Sequence, residues 1–247
     1  MELLPTKRDE AWRYSDLDAV ARVWPAPAPE RITVAPGDSI ARAIVQDADA
    51  GAVAIRDYVI ELGAGAHAAF HLLNTGGKLG RVTIDVTLHE GAHFELGAAM
   101  LGAGAQTLEI VTTVRHVEPG ATSNQVVRSV LGGRATGSYL GKVAVARDAQ
   151  QTDASQSVKA MLLARTATAN AKPELEIYAD DVKCAHGATV GELDGQALFY
   201  LTSRGLPPVE AKAMLLSAFI AGAFAEADDD ARAALETAAQ AALERML

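Results

Sequence analysis

Residues 81–93 read RVTIDVTLHEGAH. Val82, Ile84, Val86 and Leu88 alternate with Thr83, Asp85 and Thr87, and a period of two puts the apolar set on one face of a β-strand. The strand then runs into a glycine turn at Gly91, a small residue, and the start of another strand. The same form recurs in LGAGAHAAF around Gly65 and in VEPGATSNQ around Gly120. Strand, glycine turn, small residue, strand: a unit repeated every 20–50 residues or so is the mark of a solenoid whose coils bury one another. Few helix signals separate the units, so the pattern predicts a parallel β-helix rather than a βαβ sheet. A β-sandwich or jelly roll is the alternative. The aromatic content of 5% suits a narrow core filled by Val, Ile, Leu and Ala.

On either side of this core the composition changes. Residues 1–30 are charged, carry Trp12 and Tyr14, and end in WPAPAPE, where Pro25, Pro27 and Pro29 predict a stiff extended linker. The repetitive core is assigned to residues 31–191. Residues 192–247 read as a small all-α domain. DGQALFYLTSRG opens with Asp194 as an N-cap and stops at Gly205, and Pro207 and Pro208 start a second helix running towards Phe224. In the last segment, Asp228 to Asp230 precede an apolar repeat of three and four, the acidic start that a helix dipole favours.

Bulk properties restrict what such a chain can do. Its 247 residues are 49% hydrophobic, enough for a sizeable core. A formal net charge of -9 argues against an electrostatic grip on nucleic acid or anionic lipid. No apolar run reaches the length of a membrane span, and MELLPTKRDEAWRY has charges where a signal peptide needs its apolar stretch. A single cysteine excludes an intrachain disulfide and fits a reducing compartment. These features predict a soluble, cytoplasmic protein with no nucleic-acid or membrane partner.

Several motifs fail on context. HEGAH, His89 to His93, matches the zinc-peptidase string, but that chemistry needs both histidines on one helical face, whereas strands flank this one and Gly91 occupies the turn. His67 and His71 share the spacing and are expected at the surface of a coil. GGRATGSYLGKV is one residue short of a phosphate-binding loop, and no Ser or Thr follows Lys142, so its glycines are read as coil corners. No nucleophile elbow or dinucleotide fingerprint is present.

What remains is LEIYADDVKCAHGATVG. Asp180 and Asp181 mark a turn, after which Val182, Cys184 and His186 fall on one face of a strand. Side chains two apart lie roughly 6–7 Å from one another along a strand, far enough to share a ligand but too far for direct proton transfer. Two buried, inert side chains would fit the residues equally well.

KPELEIYADDVKCAHGATVGELDGQALFYLTSRGL resembles the C-terminal signature of the SufB/SufD family of SUF iron–sulfur cluster assembly proteins. AQQTDASQSVKAMLL resembles the coils before that signature, and PTKRDEAWRYSDL the family's N-terminal motif. The match is strongest from about Tyr139 to Phe224, and both CAHGAT and the Trp-Arg-Tyr start favour the SufD branch, here in a short form. The resemblance implies a right-handed parallel β-helix followed by helices, pairing with a SufB-like paralogue, and docking of a SufC-like ATPase on the C-terminal helices through residues such as Phe199, Tyr200, Arg204, Met214 and Phe219. It implies that His186, with Cys184 as a weaker accessory ligand, contributes at the subunit interface to nascent cluster formation. A cluster usually takes four ligands, mostly thiolates, so one thiol makes an incomplete site and no stably bound cofactor is expected. ATP would be bound by the partner, and the isolated chain would form a homodimer through the same face. The competing expectation is a thiol- or metal-dependent enzyme using Cys184 and His186 in one active site.

Overall fold

The computed structural model describes residues 3–247. A 3-10 turn at Glu10–Trp12 and a short helix, α1 (Leu17–Val20), precede the strands. In chain order these are β1 (Glu30–Val34), β2 (Ser39–Gln46), β3 (Val53–Leu62), β4 (His67–Asn74), β5 (Leu79–Leu88), β6 (His93–Gly102), β7 (Thr107–His116), β8 (Thr122–Leu131), β9 (Thr136–Val145), β10 (Asp153–Leu162), β11 (Thr168–Ile177) and β12 (Lys183–Glu192). Three helices close the chain, α2 (Gly195–Ser203), α3 (Pro208–Ala221) and α4 (Asp229–Glu244).

Odd strands form one sheet, in the order β1-β3-β5-β7-β9-β11, and even strands form a second, β2-β4-β6-β8-β10-β12. Every pairing within them is parallel. Each coil therefore contributes one strand to each sheet, and the fold is the expected parallel β-helix. Side chains that alternate inwards from both sheets meet along its axis. Val82, Ile84, Val86 and Leu88 are fully buried there with Phe70, Phe94, Leu96 and Ile110.

The corners explain the glycine repeat. Gly65, Gly91 and Gly120 have φ of 65°, 62° and 71°, a left-handed conformation that costs a residue with a Cβ about 1–2 kcal/mol. They stack on the same side of the solenoid, the Gly65 amide donating to the Glu90 carbonyl and the Gly91 amide to that of Pro119. Of the glycines in GGRATGSYLGKV, Gly133 is such a corner, but Gly137 and Gly141 lie within β9, contrary to the corner reading. Gly141 is there for space. A Cβ on it would stand 2.2 Å from the Tyr139 hydroxyl.

The helices carry the caps read from sequence. Asp194 accepts from the amides of Gln196 and Ala197, Pro207 precedes α3, and Asp228 accepts from the Ala231 amide. They pack on the outer face of the even sheet, where Leu73, Ala99, Leu101 and Val130 meet Leu216, Ile220, Phe224 and Leu235. His71 lies under this layer. It is 3% exposed, not at the surface as its coil spacing suggested, because α3, α4 and their connection cover that part of the sheet. The N-terminal segment packs on the other sheet: Trp12, Trp24 and Ala26 lie against Ala19, Val20, Ile55 and Leu79. The Pro-rich stretch is thus partly docked along the solenoid.

Candidate functional site

The solenoid ends without a lid. β11 and β12 are the last strands of their sheets, each with one neighbour and one unpaired edge. Pro173 sits within β11, a position that an edge strand tolerates because proline has no amide to donate. β12 has no proline, and its residues between Lys183 and Glu192 carry no formal charge apart from any on His186. It lacks the prolines and inward charges with which natural sheets blunt an edge.

Cys184 and His186 share one face of β12, as their spacing predicted, and the register makes it the inward-facing one. Cys184 is in register with the buried Ala154 of β10, and with Val182 it packs against Val143, Val145, Ala149 and Ala179. His186 is in register with Gln156, which is 2% exposed. With no further coil stacked on β12, the face that is interior elsewhere is open here, and His186 is exposed. Among the described residues the His186 imidazole has no hydrogen-bond partner. Burial raises the Cys184 thiol above its ordinary value, with a smaller contribution in the same direction from Asp153, against a hydrogen bond from Ala154. The thiol is therefore predominantly protonated at neutral pH.

The helical face is equally open. α2 has no buried residue. Phe199 is 73% and Met214 53% exposed, and Tyr200 is exposed with the Arg204 guanidinium 5.2 Å from its ring centroid. Phe219 differs from these. It is half-buried against the sheet-facing core, with Arg128 6.0 Å from its ring.

The remaining histidines are dispersed. His89 sits in the turn between Glu61 (2.6 Å) and Glu118 (3.1 Å), which raise its pKa. His93, at the start of β6, turns to Thr122 at 2.7 Å, and its ring lies tilted by 42° beside that of His67 at 5.7 Å between centroids. HEGAH therefore divides between two sides of a coil corner and is no zinc-peptidase helix. Among the described residues no group of three or more His, Cys, Asp or Glu side chains is arranged to hold a metal ion. Cys184 and His186 can supply at most two donors to a metal or cluster, so completing a coordination sphere requires ligands from outside the chain.

Two features were missed in the sequence. One is a cleft between the even sheet and the helices, lined by His67, His93, Glu95 and Glu226. The other is a buried file of polar side chains, Thr112, Gln125, Tyr139 and Gln156, inside the last coils. The signal for it was present: in SNQVVRSVL and ASQSVKAML a glutamine occupies an apolar-parity position in each strand.

Residues 30–219 match the family model for the SUF system FeS cluster assembly, SufBD core domain. An iron–sulfur cluster assembly SufBD family protein of Synechocystis is 38% identical over 148 residues, 60% of this chain and 33% of that protein. The iron–sulfur cluster assembly protein SufD of Escherichia coli is 32% identical over 157 residues (63% and 37%), and that of Bacillus subtilis 29% over 171 residues (69% and 38%). The matched part thus spans between about a third and two fifths of the length of these relatives. No described helix is long and apolar enough to cross a membrane. With its solenoid, its open last coil and a family match that runs from the first strand into α3, the chain belongs to the SufBD family of iron–sulfur cluster assembly proteins and is SufD-like.

Proposed function

We propose that this chain is a non-enzymatic scaffold subunit of a cytoplasmic SUF-type complex. It pairs with a SufB-like paralogue through β12, docks a SufC-like ATPase on α2 and α3, and presents His186 to a nascent iron–sulfur cluster at the paired interface. The cluster is cargo assembled there, and ATP is bound and hydrolysed by the ATPase partner. The observation that carries this reading is the open last coil: a proline-free strand edge, charged only at its ends Lys183 and Glu192, carries an inward-facing histidine that no described residue covers.

The chemistry supports an incomplete site. Imidazole is a borderline ligand suited to iron, and further donors must come from the partner. Cys184 serves as an accessory ligand, since metal binding can take the proton its thiol retains. As a nucleophile it is poorly placed, because reactive cysteines need a lowered pKa and burial raises this one. Phe199, Tyr200, Arg204 and Met214 offer an exposed apolar and cationic face to the ATPase, with Phe219 behind them supporting α3. Without its paralogue, the chain pairs with a second copy through the same edge.

Copurification with the SufB-like and SufC-like subunits, followed by cluster formation, tests the assignment. His186→Ala should leave the three-subunit complex assembled and lower cluster yield, Cys184→Ala should lower it less, and the chain alone should show no ATPase activity. Full cluster yield in His186→Ala would remove the role given to His186. A complex that survives Lys or Pro replacements along β12 would remove the interface.

A further inference from the structure

The interior of the solenoid is apolar through its middle coils but polar towards its open end. Thr112, Gln125, Tyr139 and Gln156 point inwards from β7, β8, β9 and β10, and none is more than 2% exposed. Polar side chains are costly to bury unless they bond to one another, and these do. Gln156 Nε2 donates to the Tyr139 hydroxyl at 3.2 Å, that hydroxyl donates to Gln125 Oε1 at 3.0 Å, and the Thr112 hydroxyl donates to the same oxygen at 2.8 Å. Gly141, beneath Tyr139, leaves the room this ring needs. Burial pushes the Tyr139 phenol up to about 12, so it stays protonated and able to donate.

The network leaves two groups over: Gln125 Nε2 and Gln156 Oε1 are both buried without a hydrogen-bond partner, and Gln156, on β10, is the one beside the open end. Because its amide nitrogen is engaged by Tyr139, the carbonyl oxygen is the group left over, and donation from that nitrogen enriches it as an acceptor. Gln125, Gln156 and His186 are in register on β8, β10 and β12. Neighbouring strands lie about 4.8 Å apart and in-register side chains share a face, so the next group in the file is the His186 imidazole.

We propose that Gln156 is the positioning residue of His186. Its Oε1 accepts the single N–H of the neutral imidazole, which leaves the other ring nitrogen as a lone pair directed out of the open coil. Ligating histidines are commonly held in one tautomer by such an acceptor behind them. This rests on the reading of His186 as a ligand, but the tautomer can be measured without that reading.

The test is the side-chain 15N spectrum of His186 in the purified 247-residue chain. The wild type should show one dominant neutral tautomer. Gln156→Met, of similar length but without an acceptor, should show a mixture of the two, and Gln156→Glu should restore the single form. Tyr139→Phe, which frees the Gln156 amide to turn, should give a smaller change in the same direction and serves if Gln156→Met does not fold. In the complex with the SufB-like subunit, Gln156→Met should lower cluster yield about 10-fold, in line with the loss of an acceptor behind a ligating histidine. Identical tautomer populations in wild type, Gln156→Met and Tyr139→Phe would overturn the proposal. Unchanged yield in His186→Ala alongside an altered tautomer in Gln156→Met would instead remove the ligand role and leave the positioning intact.

Discussion

Gly97 lies directly beneath Ala223. A Cβ on Gly97 would stand 1.9 Å from the Ala223 carbonyl oxygen and 2.6 Å from the His71 ring. The helices are therefore seated on the even sheet at a spot where that sheet presents no side chain, and Leu73, Ala99 and Val130 surround it with apolar contact. Backbone cannot yield as a flexible side chain can. Gly97→Ala should destabilise the protein by about 1–3 kcal/mol or more, with the helices released from the sheet. Gly187 occupies the corresponding place on β12, reached from Gly97 through Val126 and Ser157, and has nothing within 4 Å of its added Cβ. Gly187→Ala should be neutral or stabilise by up to about 1 kcal/mol. Urea unfolding with limited proteolysis across residues 204–208 compares the two, and equal effects would refute the seating argument.

A second long-range contact holds the N-terminal segment. Arg81 Nη1 meets Glu109 Oε2 at 2.5 Å on the outer face of the odd sheet, both side chains no more than 2% exposed. The Ser15 hydroxyl donates to the same carboxylate at 2.7 Å, and the Trp12 ring lies 3.8 Å from the guanidinium. Removing one member of a buried pair strands the other charge, which is worse than removing both. Arg81→Met should lower stability by about 3–5 kcal/mol, and Arg81→Met with Glu109→Leu should recover most of it. Proteolysis within residues 12–26 should accelerate in the single variant, because Trp12 loses the cation beneath it. A single variant as stable as the double would contradict this account.

These two contacts mark where sequence reasoning stopped. Val82 to Leu88 was legible because its period of two is a local property, and Gly65, Gly91 and Gly120 because a left-handed corner asks for glycine whatever surrounds it. The caps at Asp194 and Asp228 were legible for the same local reason. His71 and Gly97 were not, since what buries them arrives at Ala223, far along the chain. The Pro-rich segment reads as a spacer until Trp24 and Ala26 are seen packed against Ile55 and Leu79 of the odd sheet. At the candidate site, strand parity sufficed to bring Cys184 and His186 to one face. It could not bring Gln156 beside His186, because coil-to-coil offsets vary: strand partners on neighbouring coils lie from 26 to 32 residues apart, as for Val53 with Leu79 and Thr136 with Thr168. Register had to be observed.

Two buried titrating groups should give stability opposite slopes with pH. Burial pushes His116 down to about 4, with its Nε2 3.0 Å from the Ser123 hydroxyl. The unfolded chain takes up this proton near 6.5 and the folded chain only near 4, so stability falls as the pH drops through that window. His71 and His93, also lowered by burial, add to the loss. Burial pushes Glu95 the other way, up to about 7, against a hydrogen bond from the Asn124 amide and with help from Glu226. Here the folded chain holds the proton that the unfolded chain loses near 4.5, so stability falls as the pH rises from there to about 7. The two effects offset each other over much of that range and separate in variants. Glu95→Gln, which keeps an acceptor for Asn124, should gain on the order of 1–2 kcal/mol at pH 8 and show a steeper acid loss than wild type. His116→Leu should flatten the acid side by about 2–3 kcal/mol between pH 6.5 and 4 while leaving the slope near neutrality. Denaturant unfolding at half-unit pH steps distinguishes these outcomes. Curves for Glu95→Gln and wild type that run parallel from pH 5 to 8 would show that Glu95 does not titrate across neutrality in the folded protein.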